Sequence, residues 1–258
     1  MTGVVPVDDP RLAAAVEAAE RAGEIQRDRA GSDHDVEYKG RRDLVTDVDL
    51  RSETAITDLL DDRFPDHAIL AEESGATGDA DERWIVDPLD GTTNFFHGLP
   101  HYGVCVALED AGRLEVGVIH HTPSGDTYAA LRGAGAFRNG DPIDVSAEPS
   151  LEASLIATGF GHDGADDVDV ARMQRVIAAS HGIRRLGSAA TDLALVAEGR
   201  VEGFYHEAVH YWDVAAGAIL VAEAGGETTL VTAEPPTADG PVLATNGHIH
   251  DDLADVVA

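Results

Sequence analysis

Hydrophobic residues recur along this chain with two different periods. Near the N-terminus they return every three or four positions, which is the spacing of an amphipathic helix. Further along they form short runs bounded by glycine and polar residues, which are typical of strands. The predicted helices span about 10–31, 46–64, 169–181, 190–198 and 213–224, and the predicted strands span 68–71, 84–86, 103–108, 114–120, 127–131, 135–138, 155–157, 183–186 and 203–205. Helices and strands mixed in this order predict an α/β layered fold.

Local signals mark the ends of several predicted elements. Asp9-Pro10 is a favourable start for the first helix, because Asp accepts early amide protons and Pro suits the first turn. Thr46 and Asp49 have the spacing of a capping box, with Asp in place of the usual Glu or Gln. Asn139-Gly140 predicts a tight turn after a strand. The proline-rich stretch at 234–240 is predicted to be a surface loop.

The charge of the chain excludes several kinds of partner. Its 258 residues include 48 acidic and 18 basic ones, which gives a formal net charge of −30. A surface of this sign repels nucleic acids and anionic membranes. It also repels itself unless counterions screen it, so we interpret it as an adaptation to a salt-rich cytoplasm. An acidic interaction surface is the alternative, and it is disfavoured because the acids are spread along the chain rather than collected in a tail.

Other compositional features predict a cytoplasmic globular protein. Hydrophobic residues make up 43% of the chain, enough for a sizeable core in a single domain. The longest hydrophobic run, at 214–222, is far shorter than the ~20 residues of a membrane span. The N-terminus lacks the basic and apolar regions of a secretory signal. The single cysteine, Cys105, is predicted to be buried in a strand, and it excludes intramolecular disulfides.

The segment 84–95 carries the strongest chemical signal. A short hydrophobic strand is followed by Asp87 and Asp90 on either side of a stiffening proline, then by Gly91 and a polar stretch that can begin a helix. Carboxylates are ligands of hard divalent cations, and the amides at a helix start bind phosphate oxygens. Because 48 of the 258 residues are acidic, a carboxylate is assigned a role only where the sequence around it is as specific as this.

This segment reads W-I-V-D-P-L-D-G-T-T-N-F and closely resembles the signature of the inositol monophosphatase family. Three further stretches resemble that family in the same order, and they are D-L-V-T-D-V-D at 43–49, E-E-S at 72–74 and W-D-V-A-A-G at 212–217. The stretches 133–140 and 244–246 are also similar, and the resemblance extends from about Lys39 to the C-terminus. It implies an α-β-α-β-α layered sandwich, usually a homodimer. It also implies one domain with a metal-binding part at about 1–145 and a substrate-lining part at about 146–258.

The resemblance implies two or three Mg²⁺ ions in the site, with Mn²⁺ as an alternative. Glu72, Asp87 and the backbone carbonyl of Leu89 would hold the first ion. Asp87, Asp90 and Asp213 would hold the second, so that Asp87 bridges the two, and a weaker third ion would lie near Glu72. Such ions would activate the attacking water and stabilise the leaving oxygen of a phosphomonoester. Oxygen ligands suit Mg²⁺, which keeps part of its coordination for water and phosphate.

The same resemblance assigns roles in catalysis and substrate binding. Thr92 and Asp49 would orient the attacking water, with Glu72 also taking part, although helix capping is an alternative for Thr92 and Asp49. The amides of Gly91 and Thr92 would hold the phosphate. Glu207 would bind substrate hydroxyls, with an ordinary surface position as its alternative. The full set expected to line the substrate is Asp90, Gly91, Thr92, Gly187, Ser188, Ala189, Glu207 and Asp213.

The implied activity is Mg²⁺-dependent hydrolysis of a small phosphorylated polyol or sugar, with myo-inositol monophosphate as the leading substrate. Fructose 1,6-bisphosphate is the main rival, and 3'-phosphoadenosine 5'-phosphate is the third candidate. A non-catalytic relative that binds metal or partners is the alternative from another class, and the complete set of carboxylates argues against it. An ATP-binding phosphate loop is excluded, because no glycine-rich loop is followed by lysine.

A few conspicuous residues receive weaker assignments. The histidines at 120–121 and 248–250 have no cysteine or specifically framed carboxylate nearby, so strand or loop positions are predicted for them rather than a transition-metal site. His210 resembles a family residue with a supporting role. Asp47 is expected at the surface or beside the site, and Lys39, the only lysine, has no assigned role. The stretch 159–163 departs from animal members of the family, so no substrate contact is carried over to it.

Overall fold

The computed structural model describes residues 8–31, 36–38, 44–160, 167–230 and 240–258. The helices in these residues are α1 Pro10–Arg29, α2 Asp47–Arg63, α3 Thr92–His97, α4 Asp167–Ala179, α5 Ala189–Ala197, α6 Tyr211–Glu223 and α7 His250–Val257, with a 3₁₀ turn at Leu151–Ala153. The strands are β1 Val36–Tyr38, β2 Leu44–Thr46, β3 Ala68–Ala71, β4 Gly75–Thr77, β5 Glu82–Asp90, β6 Gly103–Asp110, β7 Arg113–His121, β8 Asp126–Leu131, β9 Gly135–Arg138, β10 Asp141–Ile143, β11 Leu155–Thr158, β12 Gly182–Arg184, β13 Gly203–Val209, β14 Glu227–Leu230 and β15 Gly240–Thr245.

The strands form two large sheets and a small ribbon. The first sheet has eight strands in the order β10-β9-β8-β7-β6-β5-β3-β4, in which β3 and β5 are parallel. The second sheet has five strands in the order β12-β11-β13-β15-β14, in which β11 is parallel to both β12 and β13. β1 and β2 pair with each other. The carboxyl ends of β11, β12 and β13 therefore meet at one edge of the second sheet, the kind of edge at which α/β folds bind ligands.

Alternation of side chains along β5 explains how the layers form. Trp84 and Val86 point to one face of the first sheet and pack with α1 and α2, whereas Ile85 points to the other face and packs with α5 and α6. The layer of α5 and α6 also contacts the second sheet, whose outer face packs against α4 and α7. The order of layers is therefore α-β-α-β-α, which confirms the predicted fold class.

Small residues bring α6 close to the first sheet. A Cβ at Gly117 of β7 would lie 2.6 Å from the backbone oxygen of Ala216, so glycine is needed for this approach. Within the middle layer, a Cβ at Gly217 would lie 2.5 Å from the Cβ of Leu193, which brings α5 equally close to α6. As a result, α6 is held against β5, β6 and β7.

The local signals at the ends of elements are confirmed. The side chain of Asp9 accepts the amide protons of the first turn of α1. Thr46 and Asp49 form the predicted capping box of α2. Asn139 and Gly140 have φ values of 52° and 88°, which are the left-handed conformations that a tight hairpin turn requires. Residues close to each other along the chain therefore mark these boundaries.

Most predicted elements are present, and the differences are of two kinds, namely shifted strand ends and elements that the prediction misses. The strand predicted at 84–86 is wrong at its C-terminal end, because β5 continues through Pro88 to Asp90. The strand predicted at 203–205 likewise continues to Val209. The prediction misses the three-residue strands β1, β2, β4 and β10. It also misses β14, β15 and α7, whose sequences are short, polar or interrupted by proline. Of the proline-rich stretch, 234–239 lies outside the described residues and Gly240 begins β15.

Two expectations from composition can be compared with the structure. Cys105 is buried in β6, which confirms its predicted strand position. Across the described ranges, no helix combines the length and the hydropathy that crossing a membrane requires.

Candidate active site

β5 carries two of the predicted metal ligands within the strand rather than beyond its end. Asp87 pairs with Cys105 of β6 and the next pair is Asp90 with Gly103, so β5 holds one residue more than β6 between these pairs. A bulge of this kind re-aims side chains from their regular alternation. It also accommodates Pro88, which has no amide to donate to a neighbouring strand. In a regular strand, residues three positions apart point to opposite faces. In the bulged β5, Asp90 is close enough to Asp87 for its negative charge to raise the pKa of the Asp87 carboxyl.

A buried glutamine holds the bulged segment in place. Gln26 of α1 is fully buried, and its side-chain amide donates to the carbonyl of Pro88 at 2.8 Å. The hydroxyl of Thr122 donates to the other end of the same side chain at 2.5 Å. No motif predicts this contact. The sequence does contain a signal for it, because Gln26 continues the helical spacing of buried positions in α1 with a polar residue.

The acids predicted as metal ligands lie within electrostatic reach of Asp87. This side chain is buried, and burial raises the pKa of its carboxyl well above the usual range. The negative charges of Glu72, Asp90 and Asp213 raise that pKa further, so all three lie near it. The same acids raise the pKa of the Cys105 thiol, after the larger effect of burial. The structure therefore brings together side chains from the end of β3, from β5 and from α6.

Glu72 reaches the cluster from the end of β3. Its amide donates to the carbonyl of Val86 at 3.2 Å, which continues the parallel pairing of β3 with β5 by one residue. The next amide, that of Glu73, donates to the carboxylate of Glu53 on α2 at 2.7 Å. Glu53 is buried, so its carboxylate fixes the path of the chain just after Glu72. This supporting role of Glu53 is not apparent from the sequence pattern.

Asp213 reaches the cluster from the first turn of α6. Its carboxylate accepts a hydrogen bond from the amide of His210, the N-cap residue, at 3.3 Å. The ring of His210 stacks on Trp212 with a distance of 4.6 Å between centroids. His210 thus holds the turn that carries Asp213, in line with the supporting role predicted for it.

A second buried contact ties the start of α6 to the first sheet. The hydroxyl of Tyr211 donates to the carboxylate of Glu109 on β6 at 2.7 Å. The other oxygen of that carboxylate accepts from Arg83 of β5 at 2.7 Å. Glu109 is buried, so it needs both donors. The pair of bonds fixes Asp213, two residues beyond Tyr211, relative to the strand that carries Asp87.

Replacing Tyr211 with Phe is expected to lower kcat/KM by about 10- to 100-fold, the usual effect of losing a group that orients a metal ligand. The phenyl ring of the variant still fills the space of the tyrosine ring. However, Glu109 loses one hydrogen-bond donor, and the hydrogen bond between α6 and β6 is lost. Steady-state kinetics over a range of Mg²⁺ concentrations would measure the loss. Tyr128→Phe is the matched control. Tyr128 is a buried tyrosine of β8, and its hydroxyl also forms a hydrogen bond with a glutamate, Glu198. Equal losses in both variants would show a general loss of stability instead.

The predicted substrate loop packs directly against the turn between β5 and α3. Asp90 accepts hydrogen bonds from the hydroxyl of Ser188 and from the amide of Ala190, the latter at 2.8 Å. Gly91 has a φ of 87°, and a Cβ there would lie 2.8 Å from the carbonyl oxygen of His101 and 3.2 Å from the Cβ of Ser188. Glycine is therefore required at this position both for its conformation and for space.

Gly187 and Ala189 complete the same loop. Gly187 also has a φ of 87°, and Ala189 is the first residue of α5. The side-chain amide of Asn94 in α3 donates to the carbonyl of Leu186 at 2.8 Å. This bond ties the loop to α3, so the predicted loop residues Gly187, Ser188 and Ala189 lie beside the turn between β5 and α3.

Thr92 and Asp49 are in direct contact. The hydroxyl of Thr92 lies 3.0 Å from one carboxylate oxygen of Asp49 and 3.0 Å from the carbonyl oxygen of Leu89. The other oxygen of Asp49 accepts from the amide and the hydroxyl of Thr46, at 2.8 and 2.6 Å. Burial raises the pKa of the Asp49 carboxyl against the opposing effect of these hydrogen bonds. Asp49 is thus held by capping, whereas Thr92 makes no capping bond to α3, whose N-cap is Gly91.

Glu207 lies away from this group of residues. Side chains alternate along β13, so that Phe204 packs with α5 and α6 while Tyr205 packs with α4 and α7. Glu207 lies in the stretch between His206 and Val209, where the pairing of β13 with β15 shifts register. It forms an ion pair with Arg172 of α4 at 3.3 Å, with 38% of its side chain exposed. His206 takes the face towards α5. This placement gives no support to the predicted contact of Glu207 with substrate hydroxyls.

The conspicuous histidines have structural positions. His120 and His121 lie in β7, as predicted. His120 is buried, and burial lowers its pKa to about 4, so the ring is neutral and accepts from Arg27 at 3.0 Å. His250 begins α7 rather than lying in a loop or strand, and its ring contacts two threonine hydroxyls. The prediction of a strand or loop position for His250 is therefore wrong, because this residue begins a helix. Its contacts with the two threonines agree with the structural role predicted for it.

Other predicted features are placed as follows. Lys39 and the part of the departing stretch at 161–163 lie outside the described residues. Asp47 lies in the first turn of α2 and forms an ion pair with Arg29 at 3.0 Å. This matches its expected position at the surface beside the site.

The donor set suits a hard divalent cation. Glu72, Asp87, Asp90, Asp213 and the carbonyl of Leu89 offer oxygen atoms alone, and the acids concentrate negative charge at a buried position that cations would offset. Where the structure describes the chain, no three acidic, histidine or cysteine side chains already converge closely enough to hold a bare ion. Mg²⁺ takes one or two carboxylates and completes its shell with water and phosphate oxygens, so an open arrangement fits it.

Comparison with known proteins points to the same chemistry. The sequence model of the inositol monophosphatase family matches residues 8–258. An inositol-1-monophosphatase from Synechocystis sp. is 40% identical over 253 residues, which cover 96% of this chain and 85% of that protein. The Nus factor SuhB of Pseudomonas aeruginosa is 42% identical over 230 residues, which cover 84% of each protein. The crystal structure of the suppressor protein suhB from Bartonella henselae has a TM-score of 0.89 at 37% identity and covers 96% of this chain and 98% of its own. This chain therefore belongs to the inositol monophosphatase family.

Proposed function

We propose that this protein is a Mg²⁺-dependent hydrolase of small phosphomonoesters, with myo-inositol monophosphate as the leading substrate. The observation that carries the proposal is that the negative charges of three acids act on the buried Asp87, beside the contact between Thr92 and Asp49. The family match and the inositol-1-monophosphatase of Synechocystis support the reaction class. The complete set of acids disfavours a non-catalytic relative, which would have no chemical need for all of them.

The metal, the Thr92 hydroxyl and the amides that begin α3 would each have a separate role in hydrolysis. Bound Mg²⁺ would supply positive charge to the phosphate and to the leaving oxygen. Thr92 has a single hydroxyl proton, which it donates to Asp49 or to the Leu89 carbonyl, so its lone pairs remain to accept a hydrogen bond from the attacking water. This contact orients the water for attack. The amides that begin α3 have no partners within the helix, so they would bind the phosphate oxygens.

A phosphate-release assay with three substrates tests the proposal. Inositol 1-phosphate, fructose 1,6-bisphosphate and 3'-phosphoadenosine 5'-phosphate would each be offered with Mg²⁺, with Mn²⁺ and with a chelator. We expect turnover of inositol 1-phosphate that the chelator abolishes and added Mg²⁺ restores. Absence of phosphate release from all three substrates with either metal would contradict the proposal and favour the non-catalytic alternative.

We also propose that the enzyme works as a homodimer in a salt-rich cytoplasm. The dimer is the usual state of the family, and light scattering would measure it.

The net charge of −30 supports the salt-rich setting and opposes binding to nucleic acids or anionic membranes. The whole chain is proposed to act as one domain, with its metal ligands mainly before residue 145 and its substrate lining mainly after it.

The melting temperature is expected to rise steeply as KCl increases from 0.1 to 1 M. The screening length falls from ~10 to ~3 Å over this range, which removes most of the repulsion between exposed acids. Thermal unfolding followed by circular dichroism would measure the effect. A parallel series in sucrose separates charge screening from general exclusion of solute, which stabilises most folded proteins. A melting temperature that does not change with KCl would show that the acidic surface needs no salt.

A further inference from the structure

The hydroxyl of Ser188 lies between two polar groups at the start of α5. It accepts a hydrogen bond from the amide of Thr191 at 3.2 Å, so Ser188 is the N-cap of this helix. Its own proton is donated to the carboxylate of Asp90, the last residue of β5. A hydroxyl has only one proton to donate. The two bonds therefore use that proton, and they join the start of α5 to the strand that carries Asp87.

Burial argues against direct contact between the Ser188 side chain and a substrate. The family resemblance implies that this residue lines the substrate, but Ser188 is only 3% exposed. Its proton is already donated to Asp90. Its neighbours Gly187 and Ala189 are half-buried rather than buried. Within this loop, the neighbours are therefore accessible to a substrate, whereas the Ser188 hydroxyl is bonded to a proposed metal ligand.

A second bond from the same turn fixes the Asp90 carboxylate. The amide of Ala190 donates to Oδ2 of Asp90 at 2.8 Å, and the Ser188 hydroxyl donates to the same oxygen. Two donors on one oxygen set the orientation of the whole carboxylate, including the direction of its other oxygen. The positive end of the α5 dipole also lies at this carboxylate and favours its charged form. The charged form is the one that binds a cation.

α5 is in turn packed against the helix that carries Asp213. A Cβ at Gly217 of α6 would lie 2.5 Å from the Cβ of Leu193 in α5, so the two helices are in close contact. Asp90 is bonded to the first turn of α5, and Asp213 belongs to the first turn of α6. Together with Asp87, these two acids are the proposed ligands of the second ion. α5 therefore links the strand and the helix that would supply the ligands of this ion.

We propose that Ser188 is a positioning residue for the second Mg²⁺ ion, because its hydroxyl sets the orientation of the Asp90 carboxylate and does not bind substrate. This inference rests on the proposed phosphatase function. A group that orients a metal ligand typically contributes about 10- to 100-fold to metal affinity. Loss of the Ser188 hydroxyl should therefore weaken the binding of Mg²⁺, whereas loss of a substrate contact would raise the KM for the phosphate ester.

The test compares Ser188→Ala with Thr191→Val. Thr191 is the matched control, because it is buried in the same turn and its hydroxyl donates to the carbonyl of Ser188 at 3.2 Å, within the helix. Titration calorimetry with MgCl₂ and no substrate would measure metal binding. Ser188→Ala should raise the dissociation constant of Mg²⁺ by about 10- to 100-fold, and Thr191→Val should leave it unchanged. At saturating Mg²⁺, Ser188→Ala should keep the wild-type KM for inositol 1-phosphate.

Ser188→Gly separates the helix cap from the metal ligand. Loss of the cap in Ser188→Ala should lower the melting temperature in EDTA by about 2–4 °C, whereas glycine at an N-cap costs much less stability. Both variants lack the hydroxyl that reaches Asp90, so both should lose the same Mg²⁺ affinity. The melting temperatures would also show that each variant is folded. A loss of affinity in Ser188→Ala that Ser188→Gly does not share would assign the effect to the cap and overturn the inference.

The remaining outcomes separate this inference from the proposed function. Unchanged Mg²⁺ affinity in Ser188→Ala, or an equal loss in Thr191→Val, would overturn the role of Ser188 while the phosphatase activity stands. A higher KM for inositol 1-phosphate at unchanged Mg²⁺ affinity would also overturn it and return Ser188 to the substrate lining. A wild-type protein that neither binds Mg²⁺ nor releases phosphate from inositol 1-phosphate would instead reject the proposed function itself.

Discussion

Asp213→Asn and Asp90→Asn are each expected to lower kcat/KM by about 10³-fold while the fold stays intact. Bound metal contributes several kcal/mol to a phosphoryl transition state, and about 1.4 kcal/mol corresponds to a factor of ten. Both substitutions keep the size of the side chain and remove the charge that would hold the cation. The fold should stay intact because each carboxylate accepts a hydrogen bond from a backbone amide, and the side-chain oxygen of Asn can accept the same bond.

The stability of these two variants should not fall with their activity. In the folded protein, Asp90 and Asp213 both place negative charge next to the buried Asp87. Removing one of them relieves like-charge repulsion, so the melting temperature without metal should stay constant or rise. Asp141→Asn on the edge strand β10 is the matched control, since it removes an exposed acid from the same chain. Titration calorimetry that shows unchanged Mg²⁺ binding, together with normal activity in either variant, would reject these residues as ligands.

The parts of the fold that follow from sequence are those in which local pattern and tertiary packing agree. The short hydrophobic run from Trp84 to Val86 predicts a strand, and the structure packs the two faces of that strand against different helix layers. Capping and turn residues work in the same way, because their partners lie within a few positions along the chain. Thr46 and Asp49 are the clearest example, since a local capping box also fixes a residue of the site.

The parts that the sequence does not reveal depend on contacts between distant residues. The bond from Tyr211 to Glu109 joins positions 102 residues apart. The bond from Gln26 to Pro88 joins positions 62 residues apart. Each partner is an ordinary residue in its own element, so only the packing of helix on sheet gives the pair a role. The strand end predicted at Val86 differs for a related reason, because proline normally ends a strand and here the bulge accommodates it.

Glu207 illustrates how one position along a strand changes a functional assignment. Neighbouring residues of a strand face opposite sides, so a shift of one residue exchanges the faces. The predicted strand at 203–205 does not show which face meets the middle layer. The structure does, because Phe204 packs with α5 and α6 and Glu207 binds Arg172 on the other side. The contact of Glu207 with substrate hydroxyls therefore stays a prediction.

Thr92→Ala is expected to lower kcat by about 10²- to 10⁴-fold, the usual range for general acid–base assistance, with little change in KM. The hydroxyl lies 3.0 Å from Asp49, whose other oxygen is held by Thr46, so it has a fixed orientation towards the attacking water. The phosphate contacts should survive, because they come from backbone amides. Loss of the hydroxyl therefore acts on the chemical step rather than on substrate capture. Thr92→Ser is the matched variant, since it keeps the hydroxyl and removes only a methyl group.

The competing explanation is that Thr92 only stabilises the start of α3. A lost helix cap costs roughly 1 kcal/mol of folding free energy and leaves the turnover of each folded molecule unchanged. The structure argues against this, because Gly91 is the N-cap and the Thr92 hydroxyl points to Asp49 and to the Leu89 carbonyl instead. Measuring kcat and melting temperature together separates the two roles at saturating Mg²⁺. We expect Thr92→Ala to melt within a few degrees of the wild type with its kcat lost, and Thr92→Ser to recover most of that kcat. A Thr92→Ala enzyme that is less stable yet fully active would assign Thr92 to the helix and leave the orientation of the water to other groups.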